Sequence, residues 1–344
     1  MNKPVKFFLP EYALNDATVY YVDMVERGFI SSGYTVHRVS KRSEIQRGDI
    51  VFFIELADYF KNLLFLLNVK IVFWFQGVVE EEYKMQHGPS YSLKEKFMFF
   101  RMRCYEKYLL KRASLIFFVS DALKEYLLQK YQIKGIKHSL IMPCYNKQLS
   151  KNAFVNQNRF DELSFVYAGS THKWQCIDQV LKIYGEVEKK YPLARLTLLV
   201  KKNEHLVRTI ESLGIQNITI KYVSLEELDN EFLNHKYGFI IRDEHIVNYV
   251  STPTKMSSYL ASALLPVYTD AVWSFKQNLK LDEFGLIFKP GNSEKFIAEK
   301  IIDHHNAGLS LDSWAQKLHQ VFSSYYSDSF YINRIEKKLA LITL

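Results

Sequence analysis

Residues 237–261 read Tyr-Gly-Phe-Ile-Ile-Arg-Asp-Glu-His-Ile-Val-Asn-Tyr-Val-Ser-Thr-Pro-Thr-Lys-Met-Ser-Ser-Tyr-Leu-Ala. The run Tyr237–Ile241 has the length and unbroken apolar character of a strand buried on both faces, as parallel sheets require. It stops at Arg242, and a polar loop follows. Pro253-Thr254-Lys255 then opens a stretch predicted to be helical over Thr254–Ala263. Arg242, Asn248, Ser251, Thr254 and Lys255 thus gather between a strand's carboxyl end and a helix's amino end, where an anion is best accommodated.

The same alternation extends outward in both directions. Toward the N-terminus, strands are predicted at Val5–Leu9, Thr35–Val39, Ile50–Ile54, Ile71–Phe75, Leu115–Val119 and Leu140–Met142. Helices are predicted at Thr18–Ser31, Asp58–Leu67, Leu93–Arg112 and Asp121–Tyr131. Residues 146–162 turn polar and lose periodicity, which reads as a linker. Beyond it the strands Ser164–Ala168, Arg195–Val200, Ile218–Val223, Gly238–Ile241, Leu265–Thr269 and Gly285–Phe288 alternate with helices. The expected fold is α/β, with two doubly wound, Rossmann-like domains facing across a cleft. They span 1–145 and 163–325, and 326–344 forms a terminal helix that packs back on the first.

A chain of 344 residues is long for one such domain and comfortable for two. Three cysteines, Cys104, Cys144 and Cys176, lie far apart without metal-like or redox spacing, which points to a reducing, cytoplasmic setting. The N-terminus lacks the long apolar region of a secretory signal. The most apolar region, 49–77, is broken by Glu55, Asp58, Lys61, Asn62, Asn68 and Lys70, so it reads as strand, helix, strand rather than a membrane span. Residues 1–150 hold 22 Lys and Arg against 15 Asp and Glu, and the remainder 23 against 22. A basic face on the first domain calls for an anionic partner there.

Phe165-Val-Tyr-Ala-Gly169-Ser170-Thr-His-Lys173-Trp174 opens the second domain. Gly169 lets a ligand approach the backbone, and Lys173 stands where a phosphate would meet it. An ordinary strand-to-helix turn with a solvated lysine is the other reading of this segment alone. Together with 242–261 it reads as a site.

At this point the sequence resembles the GT-B fold glycosyltransferases of the family 4 type, particularly bacterial surface-polysaccharide enzymes. Four segments carry the resemblance in family order: Ala113–Leu123 with Ile141-Met-Pro143; Val166–Trp174; Tyr237–Arg242 with Asn248 and Pro253-Thr-Lys; and Tyr259-Leu-Ala-Ser-Ala-Leu-Leu-Pro-Val267. The resemblance implies GT-B architecture and a nucleotide-sugar donor. It casts Arg242, Lys255 and Lys173 as the groups that neutralise the departing diphosphate, in place of a metal or other cofactor. Gly169, Ser170, Asn248, Ser251, Thr254 and Ser258 would complete the donor contacts. Tyr222 and Val223 fall where the family seats the nucleobase; the alternative for Tyr222 is a partly buried aromatic at a strand end. The chain departs from the family at Ser258, where a ribose-binding Glu is usual, at Gln175-Cys176 in place of Lys-Gly, and at Leu264 in place of Gly.

In the first domain Gln76 and Gly77 end the strand Val72–Phe75, where similar enzymes meet the sugar or acceptor. The Glu80-Glu81-Glu82 run and His87 are expected in a loop bordering that site, the three carboxylates reading as a solvated loop or helix start rather than as a general base. Ser120 and Asp121 read as a helix cap. The stretch 93–112 interleaves aromatics with seven cations. It reads either as a helix binding an anionic membrane surface, which a lipid-linked acceptor would require, or as a helix packed on the sheet. Nucleic acid is not an expected partner, because no recognition module is present.

The resulting expectation is a retaining, metal-independent transferase, peripheral on the inner face of the plasma membrane, with a lipid-linked or oligosaccharide acceptor. The alternatives are a catalytically weakened scaffold subunit of a polysaccharide assembly complex and a sugar-nucleotide epimerase. The epimerase would call for a clearer acid/base set.

Overall fold

In the computed structural model, which describes residues 3–15, 18–61 and 68–342, the apolar runs form twelve strands in two all-parallel sheets. Contacts divide the chain into two units. The first comprises Met1–Asn146, Val250–Thr252 and Ser327–Leu344, and the second Lys147–Tyr249 and Pro253–Tyr326.

Unit 1 runs β1 Lys3–Phe8, α1 Val19–Ser31, β2 Tyr34–Val39, β3 Ile50–Phe53, α2 Leu56–Lys61, β4 Lys70–Phe75, α3 Val79–His87, α4 Leu93–Arg112, β5 Leu115–Phe118, α5 Asp121–Tyr131 and β6 Ser139–Ile141. Of the helix predicted over 58–67, the part 62–67 lies outside the described residues. The sheet order is β2-β1-β3-β4-β5-β6. Buried strands β3 and β5 carry apolar residues on both faces, as a sheet covered by helices on both sides demands. The high aromatic content fills this core. Phe52 meets Phe7 at 4.6 Å and Phe117 at 6.2 Å, and Tyr21 of α1 stacks on Trp74 of β4 at 3.8 Å.

Unit 2 runs β7 Ser164–Ala168, α6 Ile177–Lys190, β8 Arg195–Leu199, α7 Glu204–Leu213, β9 Ile218–Lys221, α8 Leu225–Phe232, β10 Tyr237–Ile240, α9 Ile246–Tyr249, α10 Lys255–Ala261, β11 Leu265–Thr269, α11 Trp273–Asn278, β12 Leu286–Phe288, α12 Glu294–Asn306 and α13 Leu311–Ser324. Its order is β12-β11-β10-β7-β8-β9. The residues preceding β7 are tied to this unit. Ser150 N–H donates to Ala261 O, and the buried Arg159 guanidinium donates to the carbonyls of Phe232, His235, Ala153 and Ser262.

The last helix, α14 Asp328–Ala340, belongs to unit 1. It lies against α1 closely enough that a Cβ on Gly28 would come within 2.7 Å of Ile335. Asp328 accepts from Tyr20, at 2.8 and 2.9 Å, and from Tyr145, and pairs with Arg27 at 3.0 Å.

Candidate functional site

The strand order of unit 2 fixes where a ligand fits. β7 and β10 are neighbours, yet β7 is followed by β8 on one side and β10 by β11 on the other. The loops leaving their carboxyl ends therefore diverge, and the opening between them is the switch point at which doubly wound sheets bind ligands. In unit 1 the corresponding reversal falls between β1 and β3.

Three residues bring the switch point of unit 2 together. Gly238 in β10 has no side chain, so Tyr259 of α10 lies directly on the strand. The Tyr259 hydroxyl accepts the N–H of Ala168, the last residue of β7, at 3.1 Å. One turn earlier on the same helix face, Lys255 reaches the next residue of the chain, Gly169. Gly169 has φ +132°, and a Cβ there would lie 2.6 Å from Lys255 Cε. Glycine is required twice over, by its conformation and by the lysine against it.

Arg242 emerges from the end of β10. Its N–H donates to Thr269 Oγ1 at 2.9 Å, and that hydroxyl donates back to Arg242 O at 2.7 Å. The residue is 3% exposed. One guanidinium nitrogen donates to Trp174 O at 2.5 Å, while Nε has no partner. Lys255 Nζ donates to Gln175 Oε1 at 2.5 Å and stands 4.1 Å from the centroid of the Tyr167 ring. Both cations are thus held by the same turn, Lys173–Gln175. Their partners are a carbonyl, an amide and an aromatic face; among the described residues no carboxylate pairs with either. Burial lowers the pKa of both, and for Lys255, held well below the usual lysine range, the charge of Arg242 adds to the effect. The unit keeps two desolvated basic groups beside each other, and a negatively charged ligand would favour the charged form of both.

Solved structures share this fold. Staphylococcus aureus TarM, solved with UDP and alpha-GlcNAc-glycerol, is 11% identical over 84% of this chain and 54% of its own, with a TM-score of 0.59. The pneumococcal O-GlcNAc transferase GtfA, in complex with UDP and GlcNAc, is 13% identical over 91% and 56%, at 0.53. The UDP-forming alpha,alpha-trehalose-phosphate synthase of Burkholderia vietnamiensis is 10% identical over 93% and 78%, at 0.60. No protein-family model matches the sequence, and no curated protein matches it. At this level of identity the likeness is one of fold, the GT-B architecture, and this chain spans a little over half the length of TarM and GtfA.

The other expected donor residues are placed unevenly. Lys173 and Ser170 are exposed on the loop after β7, and the Ser170 carbonyl accepts from Tyr167 OH at 2.7 Å. Asn248 is buried, its amide donating to Asp243 O at 3.0 Å. Thr254 has helical backbone angles and makes no cap bond with its side chain, and α10 ends at Ala261, short of the predicted Ala263, which has φ +55°. The hydroxyls of Ser257 and Ser258 both donate to Thr254 O, at 2.9 and 3.2 Å. Ser251 is assigned to unit 1 rather than to the unit that holds Arg242 and Lys255. There Ser120 Oγ donates to Val250 O and Cys144 N–H to Thr252 Oγ1. Tyr222, just past β9, is 70% exposed rather than partly buried, with Lys201 Nζ 5.4 Å from its ring, and Val223 beside it is half-buried.

Two further residues build the site: Gln175 holds Lys255, and Tyr259 aligns α10 on β7 and β10. The i, i+4 spacing of Lys255 and Tyr259 was a usable signal for the second. Nothing local marks the first.

In unit 1, Gln76 Nε2 donates to Ile54 O at 3.0 Å, joining the ends of β4 and β3. Gly77 leaves room for Glu82, whose carboxylate would stand 2.5 Å from a Cβ there and whose pKa is raised by burial. His87 lies in no loop. It ends α3, its ring bonded to Tyr83 O at 2.9 Å and stacked on Tyr83 at 4.0 Å.

The glutamate run also departs from expectation, because Glu80 is fully buried. Arg103 of α4 donates to it through Nε at 2.8 and 3.0 Å, Lys84 pairs with it, and Lys130 of α5 lies 3.4 Å away. Lys130 further pairs with Glu81 at 3.1 Å and Glu106 at 3.3 Å. Burial would raise Glu80, but Arg103 and the two lysines overcome it and hold its pKa at about 2. α4 thus packs one face through Phe99, Glu106, Leu109 and Leu110, while Leu93, Phe97, Phe100 and Tyr108 stay exposed among its cations.

Proposed function

We propose that the chain is a glycosyltransferase that takes a sugar from a nucleotide-sugar donor, of the uridine diphosphate class, held by unit 2. The observation that carries this reading is the cation pair Arg242–Lys255, buried without a carboxylate beside Gly169 at the β7/β10 switch point. Breaking a sugar–phosphate bond leaves negative charge on the departing diphosphate. Positive groups already desolvated and fixed in place stabilise that charge as it forms, without reorganising and without a metal ion. The UDP present in the TarM and GtfA structures supports the choice of nucleotide.

In this reading Arg242 and Lys255 bind the diphosphate, Lys173 adds charge from the exposed loop, and Tyr222 offers its ring to the base. The family 4 resemblance supports a retaining reaction in which the leaving phosphate takes the acceptor's proton. It also supports a lipid-linked or oligosaccharide acceptor in surface-polysaccharide synthesis, with unit 1 on the acceptor side. A thermal-shift screen with UDP, GDP, ADP, CMP, dTDP and their sugars tests the reading. A rise with UDP or a UDP-sugar that disappears in Arg242→Ala is the expected outcome, and a flat response to all of them would reject it.

The membrane contact belongs to the same proposal. No helix of the described residues is long and apolar enough to cross a bilayer. The exposed Leu93, Phe97 and Phe100 on α4, flanked by Lys94, Lys96, Arg101 and Lys107, have the composition of a helix lying in an anionic headgroup layer. Arg101→Glu with Lys107→Glu should abolish sedimentation with phosphatidylserine vesicles; retained sedimentation would return α4 to a solvated face. Arg103 is left unchanged in that test because it holds Glu80.

One observation favours a second reading, a scaffold subunit. Ser258, where the family places a ribose-binding Glu, turns its hydroxyl to its own helix at Thr254 O.

A further inference from the structure

The opposite, amino-terminal end of β10 carries another buried cation. Lys236 is 2% exposed, and its Nζ lies 3.0 Å from His305 Nδ1 of α12 and 5.4 Å from the Tyr237 ring centroid. Among the described residues no carboxylate forms a salt bridge with it; Asp161 attracts it from further off. Burial lowers Lys236 to about 8 and His305 to about 4, the charge of Lys236 adding to the latter. Near pH 7 the lysine is therefore the ammonium and the imidazole is neutral. The ammonium donates to Nδ1, which leaves the ring proton on Nε2 as a second donor.

These groups line a cavity of about 410 Å³. Its walls are the turn Gln157–Asp161, the start of β10 and the connection from α12 to α13. Gln157, Asn158 and Asp161 contribute polar side chains, and Phe160 and Leu309 an apolar floor. The size is that of a small-molecule site. Asp161 gives this lysine a counter-charge only from beyond salt-bridge distance, and an anion entering the cavity would supply a closer one.

We propose that this cavity is a second anion site, binding a small oxyanion, a phosphate or carboxylate group on a polar body, through Lys236 and His305. The amides of Gln157 and Asn158 suit the hydroxyls of such a ligand. Asp161 disfavours a ligand with a second anionic end. Because the cavity opens at the amino-terminal end of β10, and Arg242 follows its carboxyl end, the inference stands or falls independently of the donor reading.

Titration of the full chain with inorganic phosphate, and separately with acetate, at constant ionic strength tests it by thermal shift and calorimetry. A saturable response to either anion is expected, persisting in the Arg242→Ala, Lys255→Ala double variant and weakened at least tenfold in Lys236→Met. Asn158→Asp, an exposed change that leaves the core intact, should weaken it as well by adding a like charge at the wall. A response to phosphate assigns the phosphate class, and one to acetate alone the carboxylate class. The absence of saturable binding, or binding unchanged in both Lys236→Met and Asn158→Asp, would overturn the proposal. So would binding lost only in the double variant.

Discussion

Two clusters of charged groups in this chain, each built on buried side chains, are completed in opposite ways. Around α3, α4 and α5 in unit 1, Glu80, Glu81 and Glu106 face Lys84, Arg103 and Lys130, three carboxylates against three cations. At the β7/β10 switch point in unit 2, Arg242 and Lys255 share a turn, a ring and an amide, with no acid. Burying charge is costly in both places, and only the first cluster offsets the cost internally. The first cluster is compensated within the chain; in the second, burial and Arg242 disfavour the charged form of Lys255, and a bound anion would restore it. Perturbed, unpaired groups of this kind mark functional sites more often than structural ones.

The largest expected effect lies in the paired cluster. Holding Glu80 at about 2 instead of 4.5 corresponds to about 3 kcal/mol of folding stability. Because the folded pKa is the lower one, that stability is present above pH 4.5 and is lost as pH falls toward 2. Glu80→Gln should remove it at neutral pH and flatten the acid limb of an unfolding curve between those values. A variant as stable as the parent at pH 7 would show that the cluster is incidental.

A smaller effect of opposite sign is expected in the unpaired cluster. Lys255→Met keeps the length of the chain against Gly169 and removes a buried amine that is costly to protonate beside Arg242. The ligand-free protein should gain about 1 kcal/mol, read as a melting temperature a few degrees higher. A loss of stability would mean that the lysine is paired well enough to be structural, and the contrast between the two clusters would disappear.

The sequence displays one side of this contrast more openly than the other. Parallel α/β units were legible because β3, β5, β7 and β11 are short apolar runs with helical stretches between them. Strand order was not. The same alternation yields β2-β1-β3 in unit 1 and β10-β7-β8 in unit 2, because order depends on which way each crossover turns. Arg242, Lys255 and Gly169 stood out as residue types suited to a phosphate at the right ends of their elements. Gln175 could not stand out, since its partner is eighty residues away. Burial of Glu80 was hidden for the same reason: Arg103 and Lys130 arrive from two later helices, and locally Glu80-Glu81-Glu82 is indistinguishable from a solvated helix start.

The central claim is that Arg242 and Lys255 are left uncompensated in order to hold a nucleoside diphosphate. Calorimetric titration of UDP into the parent chain and into Lys255→Met tests it most directly. The account predicts saturable binding by the parent and at least a tenfold loss in the variant, although the variant melts at a higher temperature. Equal affinity for UDP in the two proteins would contradict it.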